Sequence, residues 1–549
     1  MTKTSTNRVD WRALWASGDL ARFCFISLGI LLHATNETMV ATVMPAMVGE
    51  LAGVQLVGWS LAIYELGAIV AGAAAGRLVS YVALRSNMVV AALLYAAGAL
   101  VCAIVPSMPL FLTGRLIEGL GGGALVSLAF VSVERLFPRA IWPQLFGIMS
   151  AIWGLAAFSG PVLGALMTEL LSWRWAFGVF TLGGTAMALA SFIVLDTPEA
   201  TRPRAITGTA PPFPFAALGC LAVSVVLIAT AGVEIALLRS SLLLILGLIG
   251  LALFIRIDAL KPGSRLFPSR LFSWRSPVGA GMTMVAAFSV ATCSFAVYGP
   301  LLLTSLHGIP ILTTGYIIAA ESLAWSILSI LVANAPPERE RLIITGGALM
   351  IAAGIAGFAY AVPAGSIPLI LFCALLQGGG FGIAWPFVTR VIVASASDGE
   401  QTIASAAVPT MQRIGYAVGA ALTGIVANAS GFSEGLNREA AANVATWLFL
   451  AFVPLGILGC LAALRISGPA APRPAELPIS PPCGGDARQG RGGREGSPNV
   501  GLTYPYETAQ IPGILLFRAP LRDTIFRNVG GTAPPSGLPA ISPTRGEID

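Results

Sequence analysis

Apolar runs of about 20 residues, each long enough to cross a hydrocarbon core of roughly 30 Å as an α-helix, recur along most of this chain and leave it few possible folds. Fourteen can be delimited, at 22–48, 56–76, 88–106, 108–132, 144–168, 174–195, 213–233, 240–258, 277–303, 312–334, 342–362, 367–394, 404–429 and 442–466. Lipid offers no hydrogen-bond partner to an open strand edge, and the dyad alternation of a membrane barrel is missing, so the spans are expected to be helices. Composition agrees: 56% of the 549 residues are hydrophobic and 11% charged, against about 25% charged in soluble domains. The expectation is an all-α polytopic membrane protein.

Charge tests the count, because loops on the cytoplasmic side collect Lys and Arg. With the N-terminus inside, twenty Lys and Arg, from Lys3 to Arg473, fall in inner segments, and three, Arg174, Arg239 and Arg438, in outer ones. A miscount early in the chain would destroy that asymmetry, so both termini are placed inside. The opening MTKTSTNRVDWRALWASGDLARF has no short apolar segment followed by a small-residue cleavage site, and the first span is expected to remain. Residues 1–21 then form a cytoplasmic N-terminus, 22–195 six helices, 196–276 a linker with two more, and 277–466 a second six. The Pro- and Gly-rich residues 467–549 are expected to form a disordered tail. Seven scattered cysteines and two distant histidines, His33 and His307, argue neither for a disulfide framework nor for a metal centre.

The two sets of six resemble each other. "LIEGLGGGAL" of the fourth span aligns with "LLQGGGFGIA" of the twelfth, placing Glu118 on Gln377, Gly119 on Gly378 and Gly123 on Gly382. "GPVLGALM" aligns with "GYAVGAAL", placing Gly160 on Gly415 and Gly164 on Gly419. Repeats with a site at their interface are a common plan of secondary transporters. Glycines four apart let another backbone approach, which is a packing role.

Charges inside the spans ask for a different explanation. A charge at the bilayer centre costs about 2.5–3.5 kcal/mol on insertion scales, and those present usually face a partner or a wet cavity. Two arginines, Arg115 and Arg413, and four glutamates, Glu37, Glu65, Glu118 and Glu321, fall there. Arg115 and Glu118, three residues apart, share a helix face, either as a self-neutralising structural pair or as working groups. A carboxyl that alternates between wet and dry surroundings takes up and releases protons. Glu118, Glu37 and Glu65, with Arg115 as the partner of Glu118, are therefore candidates for proton coupling, each acid being also a candidate for a neutral, hydrogen-bonded core residue. Asn36, Tyr298, Trp153, Phe158, Trp325, Arg413, Gln412, Gln377 and Glu321 are candidates to line a substrate cavity, with Glu321 as a cation contact; each aromatic is also a candidate for plain packing. Pro161 removes a backbone donor within the fifth span and invites a bend. No phosphate-binding loop of the ATPase type occurs, and no catalytic or metal-ligating constellation is present.

With these residues in place, the chain resembles the major facilitator superfamily, in its fourteen-helix branch of drug:proton antiporters. "NETMVATVMPAM" resembles that branch's first-helix motif, "GRLVSYVALRS" its loop between the second and third helices, "GRLIEGLGGGA" its fourth-helix motif and "GLAAFSGPVLGA" its fifth-helix exporter motif; "WRWAF" and "RLFPSRLFSWRS" also match. The resemblance implies a proton-coupling role for Arg115, a helix-5 seal shaped by Gly154, Gly160, Pro161 and Gly164, and a cytoplasmic gate at Gly76, Arg77 and Arg85. It also exposes departures. Asn36 stands where the branch has Asp, with Glu37 one place on, roughly 100° around the helix. Ser80 and Ala83 replace the usual Asp and Gly, and Glu118 replaces a usual Gln, adding an acid able to take over coupling.

The expected protein is a non-enzymatic transporter of the inner membrane: two six-helix bundles plus two central helices, exporting small amphipathic or cationic compounds against protons by alternating access. It is expected to work as a monomer with no cofactor beyond the proton gradient and no nucleic-acid partner. Import or export of an endogenous metabolite, and a non-transporting sensor or scaffold that uses the tail, are the alternatives.

Overall fold

The computed structural model describes residues 18–51, 56–202, 212–233, 236–309, 311–397, 399–431 and 438–466; the readings of the N-terminus and of the tail fall outside them. The first half contains α1 (Asp19–Leu51), α2 (Val57–Leu78), α3 (Leu84–Ile104), α4 (Met108–Leu136), α5 (Trp142–Leu170) and α6 (Trp173–Val194). Two linker helices follow, α7 (Phe215–Val233) and α8 (Leu237–Ala259). The second half contains α9 (Pro277–Ala291), α10 (Cys293–His307), α11 (Ile311–Val332), α12 (Glu340–Ala364), α13 (Ile367–Ala394), α14 (Gln401–Ala429), α15 (Arg438–Leu450) and α16 (Val453–Arg465). Among the described residues, thirteen helical stretches are long and apolar enough to cross a membrane. The remaining expected span is α14, 29 residues long and more polar, with Gln412 and Arg413 among Ser and Thr.

Two expected spans are interrupted. The ninth divides into α9 and α10 at Thr292, whose Oγ1 donates back to the Phe288 carbonyl at 2.9 Å, a local bond that competes with the helix ladder. The fourteenth divides into α15 and α16, the latter with Pro454 in its first turn, where no N–H exists to continue the preceding helix. By contrast α5 runs unbroken through Pro161.

Glycines set the packing, and they do so twice. A Cβ on Gly119 would strike the Tyr64 carbonyl and one on Gly123 would strike Ala68, so α4 lies backbone to backbone on α2. In the second half, Gly378 meets Glu321 and Gly382 meets Trp325, four residues apart in the same way, and α13 lies on α11. The repeat seen in sequence is thus a repeat of helix contacts. At one end of the first half, Glu50 accepts from Trp173 Nε1 at 2.6 Å and Arg174 Nη2 at 2.7 Å, while Arg174 Nη1 donates to the Val105 carbonyl at 2.8 Å. The WRWAF segment therefore ties α1, α3 and α6 together. Hydrogen bonds from Arg174 and then Trp173 hold the exposed Glu50 carboxyl below its usual range. Leu93, Leu189, Ile193, Leu238 and Ile249 point outward, the apolar exterior that a lipid-facing surface requires.

The hydrogen bonds described between the halves run from the end carrying the α2–α3 and α4–α5 loops to the middle of the molecule. Thr402 donates to Glu134 at 2.9 Å, Ser329 to the Gly147 carbonyl at 3.0 Å, Ser326 to the Ala151 carbonyl at 3.1 Å, and Gln144 to Asn334 at 3.4 Å. The linker joins this closure. α7 packs on both α2 and α14; Arg77 donates to the Gly263 carbonyl; and Glu400 accepts from the Ser269 hydroxyl at 2.6 Å and pairs with Arg265 at 3.3 Å. Asp258 holds the same segment by accepting from the Leu266 and Phe267 amides at 2.7 and 3.1 Å.

Candidate functional site

Two polar clusters occupy the middle of the helices. In the first, Arg115 Nη1 donates to Glu118 Oε2 at 2.6 Å and to Asn36 Oδ1 at 2.7 Å, and Asn36 Nδ2 donates to Glu118 Oε1 at 2.7 Å. The guanidinium carbon lies 4.0 Å from the centre of the Tyr64 ring, a cation–π contact. All three polar residues are 0% exposed. The helical spacing that put Arg115 and Glu118 on one face is realised, and Asn36 closes the triangle from α1. This is a dry group whose bonds are mostly internal; Arg115 Nη2, buried beside it, has no hydrogen-bond partner among the described residues. Both Glu118 oxygens accept within the triangle, Oε1 from Asn36 and Oε2 from Arg115.

The second cluster crosses between the halves. Arg413 of α14 directs Nη1 at both oxygens of Glu65, 2.7 Å each, and Nη2 at Glu37 Oε2, 3.3 Å away, and at His33 Nε2. Its guanidinium also faces the Trp153 ring at 5.5 Å. Unlike the triangle, this cluster reaches the surface: the Glu37 and Glu65 side chains are 31% and 26% exposed. Asn36 and Glu37, adjacent in sequence, thus serve different clusters, because one residue step turns the side chain by roughly 100°. Tyr64 joins the two, its ring under Arg115 and its hydroxyl 2.7 Å from His33 Nδ1.

The remaining cavity candidates separate. Gln377 donates to Glu321 at 2.7 Å, and Trp325, one turn along α11, stacks on Phe381 with ring centres 4.6 Å apart. Gln412 donates to the Tyr416 hydroxyl at 2.9 Å. Tyr298 is buried in α10, whereas Phe158 is 70% exposed. The helix-5 glycines divide between two tasks. Gly160 and Gly164 lie against α1, near Thr35 and Met39, while a Cβ on Gly154 would come 2.7 Å from the Ser322 carbonyl of α11. Gly154 therefore belongs to the contact between halves. Gly154→Val is expected to oppose the closed arrangement by about 1–3 kcal/mol, the usual scale of overpacking, and to lower the initial transport rate roughly tenfold or more while the protein still elutes as a single species. Gly76 holds the corresponding place at the other seam, where an added Cβ would come 2.7 Å from that of Ala406. Arg85, at the start of α3, pairs with Asp196, just past the end of α6, at 3.0 Å.

Sequence reading missed His33 and the Glu134–Thr402 bond. A signal for His33 existed: His33, Asn36 and Glu37 fall at i, i+3 and i+4, a polar strip along an otherwise apolar helix.

Comparison with known proteins accords with this architecture. Residues 26–363 match the profile of the Major Facilitator Superfamily. The chain is 29% identical over 482 residues to a Mycobacterium tuberculosis protein named "Probable multidrug-efflux transporter", covering 85% of this chain and 98% of that one. It is 32% identical over 150 residues to the Multidrug resistance protein 3 of Bacillus subtilis, covering 27% and 29% of the two chains. In structure it is similar to the human organic anion transporter MFSD10, with a TM-score of 0.58 at 17% identity over 80% of this chain and 98% of that one. It is also similar to the proton:xylose symporter XylE, with a TM-score of 0.57 at 16% identity over 82% and 95%. Two repeated bundles, a seam closed from one end to a central charged bridge, and a family match across more than half its length lead to one conclusion: the chain belongs to the Major Facilitator Superfamily and is a multi-pass transporter of small molecules, not an enzyme.

Proposed function

We propose that the protein exports small amphipathic or cationic compounds in exchange for protons, by alternating access between its two bundles. The Arg413 bridge carries this reading: a guanidinium from one bundle is held by two partly exposed carboxylates, Glu65 and Glu37, of the other. Charge-assisted hydrogen bonds are roughly twice as strong as neutral ones. A proton on either carboxylate therefore weakens the hold on Arg413 and favours separation of the bundles at the closed end. With arginine-rich loops inside, that end is cytoplasmic, Gly76 and Arg77 belong to its gate, and both termini lie in the cytoplasm of a plasma-membrane protein. Glu321, beside Gln377 and Trp325, offers a carboxylate and an aromatic wall to a cationic substrate. Moving one charge across 100 mV is worth about 2.3 kcal/mol, so one proton per cycle suffices to drive modest uphill export of a neutral compound; exchange for a monovalent cation moves no net charge and draws on the pH gradient alone. The names of the Mycobacterium tuberculosis and Bacillus subtilis relatives support efflux as the direction.

Growth of a drug-sensitive host with and without the protein, across a panel of lipophilic cations and neutral amphiphiles, tests the direction. Export predicts raised inhibitory concentrations for a subset of compounds. Increased sensitivity would indicate uptake and overturn the reading. Deletion of residues 470–549 is expected to leave that resistance in place, measured in the same host; its loss would favour the scaffold alternative.

A further inference from the structure

His33 sits at the centre of the crossing and is not used by the mechanism above. It is fully buried, and each of its ring nitrogens has a partner: Nδ1 faces the Tyr64 hydroxyl at 2.7 Å and Nε2 faces Arg413 Nη2. An arginine has five donors and no acceptor. Nε2 must therefore offer its lone pair, and the single proton of the neutral ring sits on Nδ1, donated to Tyr64. A proton on Nε2 would set one N–H against another and one cation against another. The Nε2 lone pair takes Arg413 or a proton, never both.

The surroundings fit an exchange between the two. Glu37, one turn further along α1, holds Oε2 3.6 Å from Nε2. From α2 come Tyr64 and, through Arg413, Glu65. From α4, Arg115 and Glu118 lie behind the Tyr64 ring; from α5, Trp153 presents a ring edge-on, 6.1 Å between centres; from α14 comes Arg413 itself. Gly122 of α4 leaves the space for the imidazole, since a Cβ there would strike His33 Nδ1 and come 2.9 Å from the Tyr64 hydroxyl.

We infer that His33 Nε2 is a further proton site of the transport cycle, blocked by Arg413 while the bundles are bridged and filled once Arg413 withdraws with α14. The inference rests on the proton-coupled reading. A proton arriving along Glu37 adds to Nε2, Nδ1–H stays on Tyr64, and the resulting imidazolium pairs with the Glu37 carboxylate that Arg413 has vacated. Until that proton leaves, Arg413 cannot return, so protonation and closure exclude one another.

The chain has two histidines, so a His307→Gln background leaves one ring to observe. The full-length protein, labelled with ring-15N histidine in lipid nanodiscs, is expected to show the neutral Nδ1–H tautomer at pH 7.5. At pH 6, Arg413→Met is expected to raise the ratio of imidazolium to neutral ring tenfold or more over the parent. An Nε2–H tautomer, or equal ratios with and without Arg413, would overturn the inference. A second variant guards against misfolding: His33→Gln keeps an acceptor for Arg413 but does not titrate in this range. Its uphill export is expected to depend less steeply on pH between 6 and 8, the bridge carboxylates being unchanged, while downhill substrate exchange persists, and a profile identical to the parent's overturns the inference. If the parent's export were indifferent to the proton gradient, the proton-coupled reading would fail separately from the spectroscopic result.

Discussion

Arg115→Ala is expected to destabilise the protein by about 3–5 kcal/mol, the cost of leaving one member of a buried pair without its partner. Glu118 and Asn36 have no water to turn to, since both are 0% exposed, and the only cation bonded to Glu118 among the described residues is Arg115. Thermal midpoints in detergent, read by size-exclusion fluorescence, should fall sharply, and little folded protein should reach the membrane. Arg115→Leu/Glu118→Leu separates packing from function. Well-packed apolar residues often replace a buried ion pair without loss, so the double variant should regain most of the thermal midpoint. On the present account it does not regain export, because the cation under Tyr64 is gone and Tyr64 is the link to His33. Restored export would reduce the pair to packing.

Glu65→Gln is expected to spare folding and impair coupling. The residue is 26% exposed, so its amide can be hydrated, while Arg413 retains Glu37 and His33 as partners. What disappears is a two-oxygen, charge-assisted grip between bundles, and hydrogen bonds to charged groups contribute about 1.5–3 kcal/mol. The equilibrium between closed and separated arrangements should shift by roughly ten- to hundredfold. Distances between spin labels on the cytoplasmic ends of α2 and α14 read this directly: the variant should populate the separated form at pH 8, where the parent remains closed. An unchanged distance distribution would deny Glu65 a part in the bridge.

What sequence could and could not disclose follows from the range of the interactions. The spans were legible because lipid imposes a length and a polarity on each helix independently of its neighbours, and the two glycine ladders because they repeat. Arg115 and Glu118 were legible as a pair because three residues of helix decide the matter. The turn of roughly 100° between Asn36 and Glu37 was legible too, but not the partner that each would meet, since Arg413 lies 380 residues from His33 and 348 from Glu65 along the chain. Nothing local distinguishes an arginine that bridges bundles from one that serves its own helix. The same limit holds for Arg85, whose partner Asp196 lies 111 residues away along the chain. Pro454 was visible in the sequence, but whether a proline bends a span or divides it depends on the helices packed around it.

Proton exchange at the inter-bundle bridge is the proposition on which the rest depends, and inside-out membrane vesicles test it most directly. With a respiratory substrate supplied, vesicles containing the protein should accumulate a fluorescent lipophilic cation against its gradient. They should lose it when nigericin and valinomycin collapse the proton gradient and potential, and should accumulate none with Glu65→Gln. Accumulation that continues unchanged after collapse, or that survives in the Glu65 variant, would contradict the account.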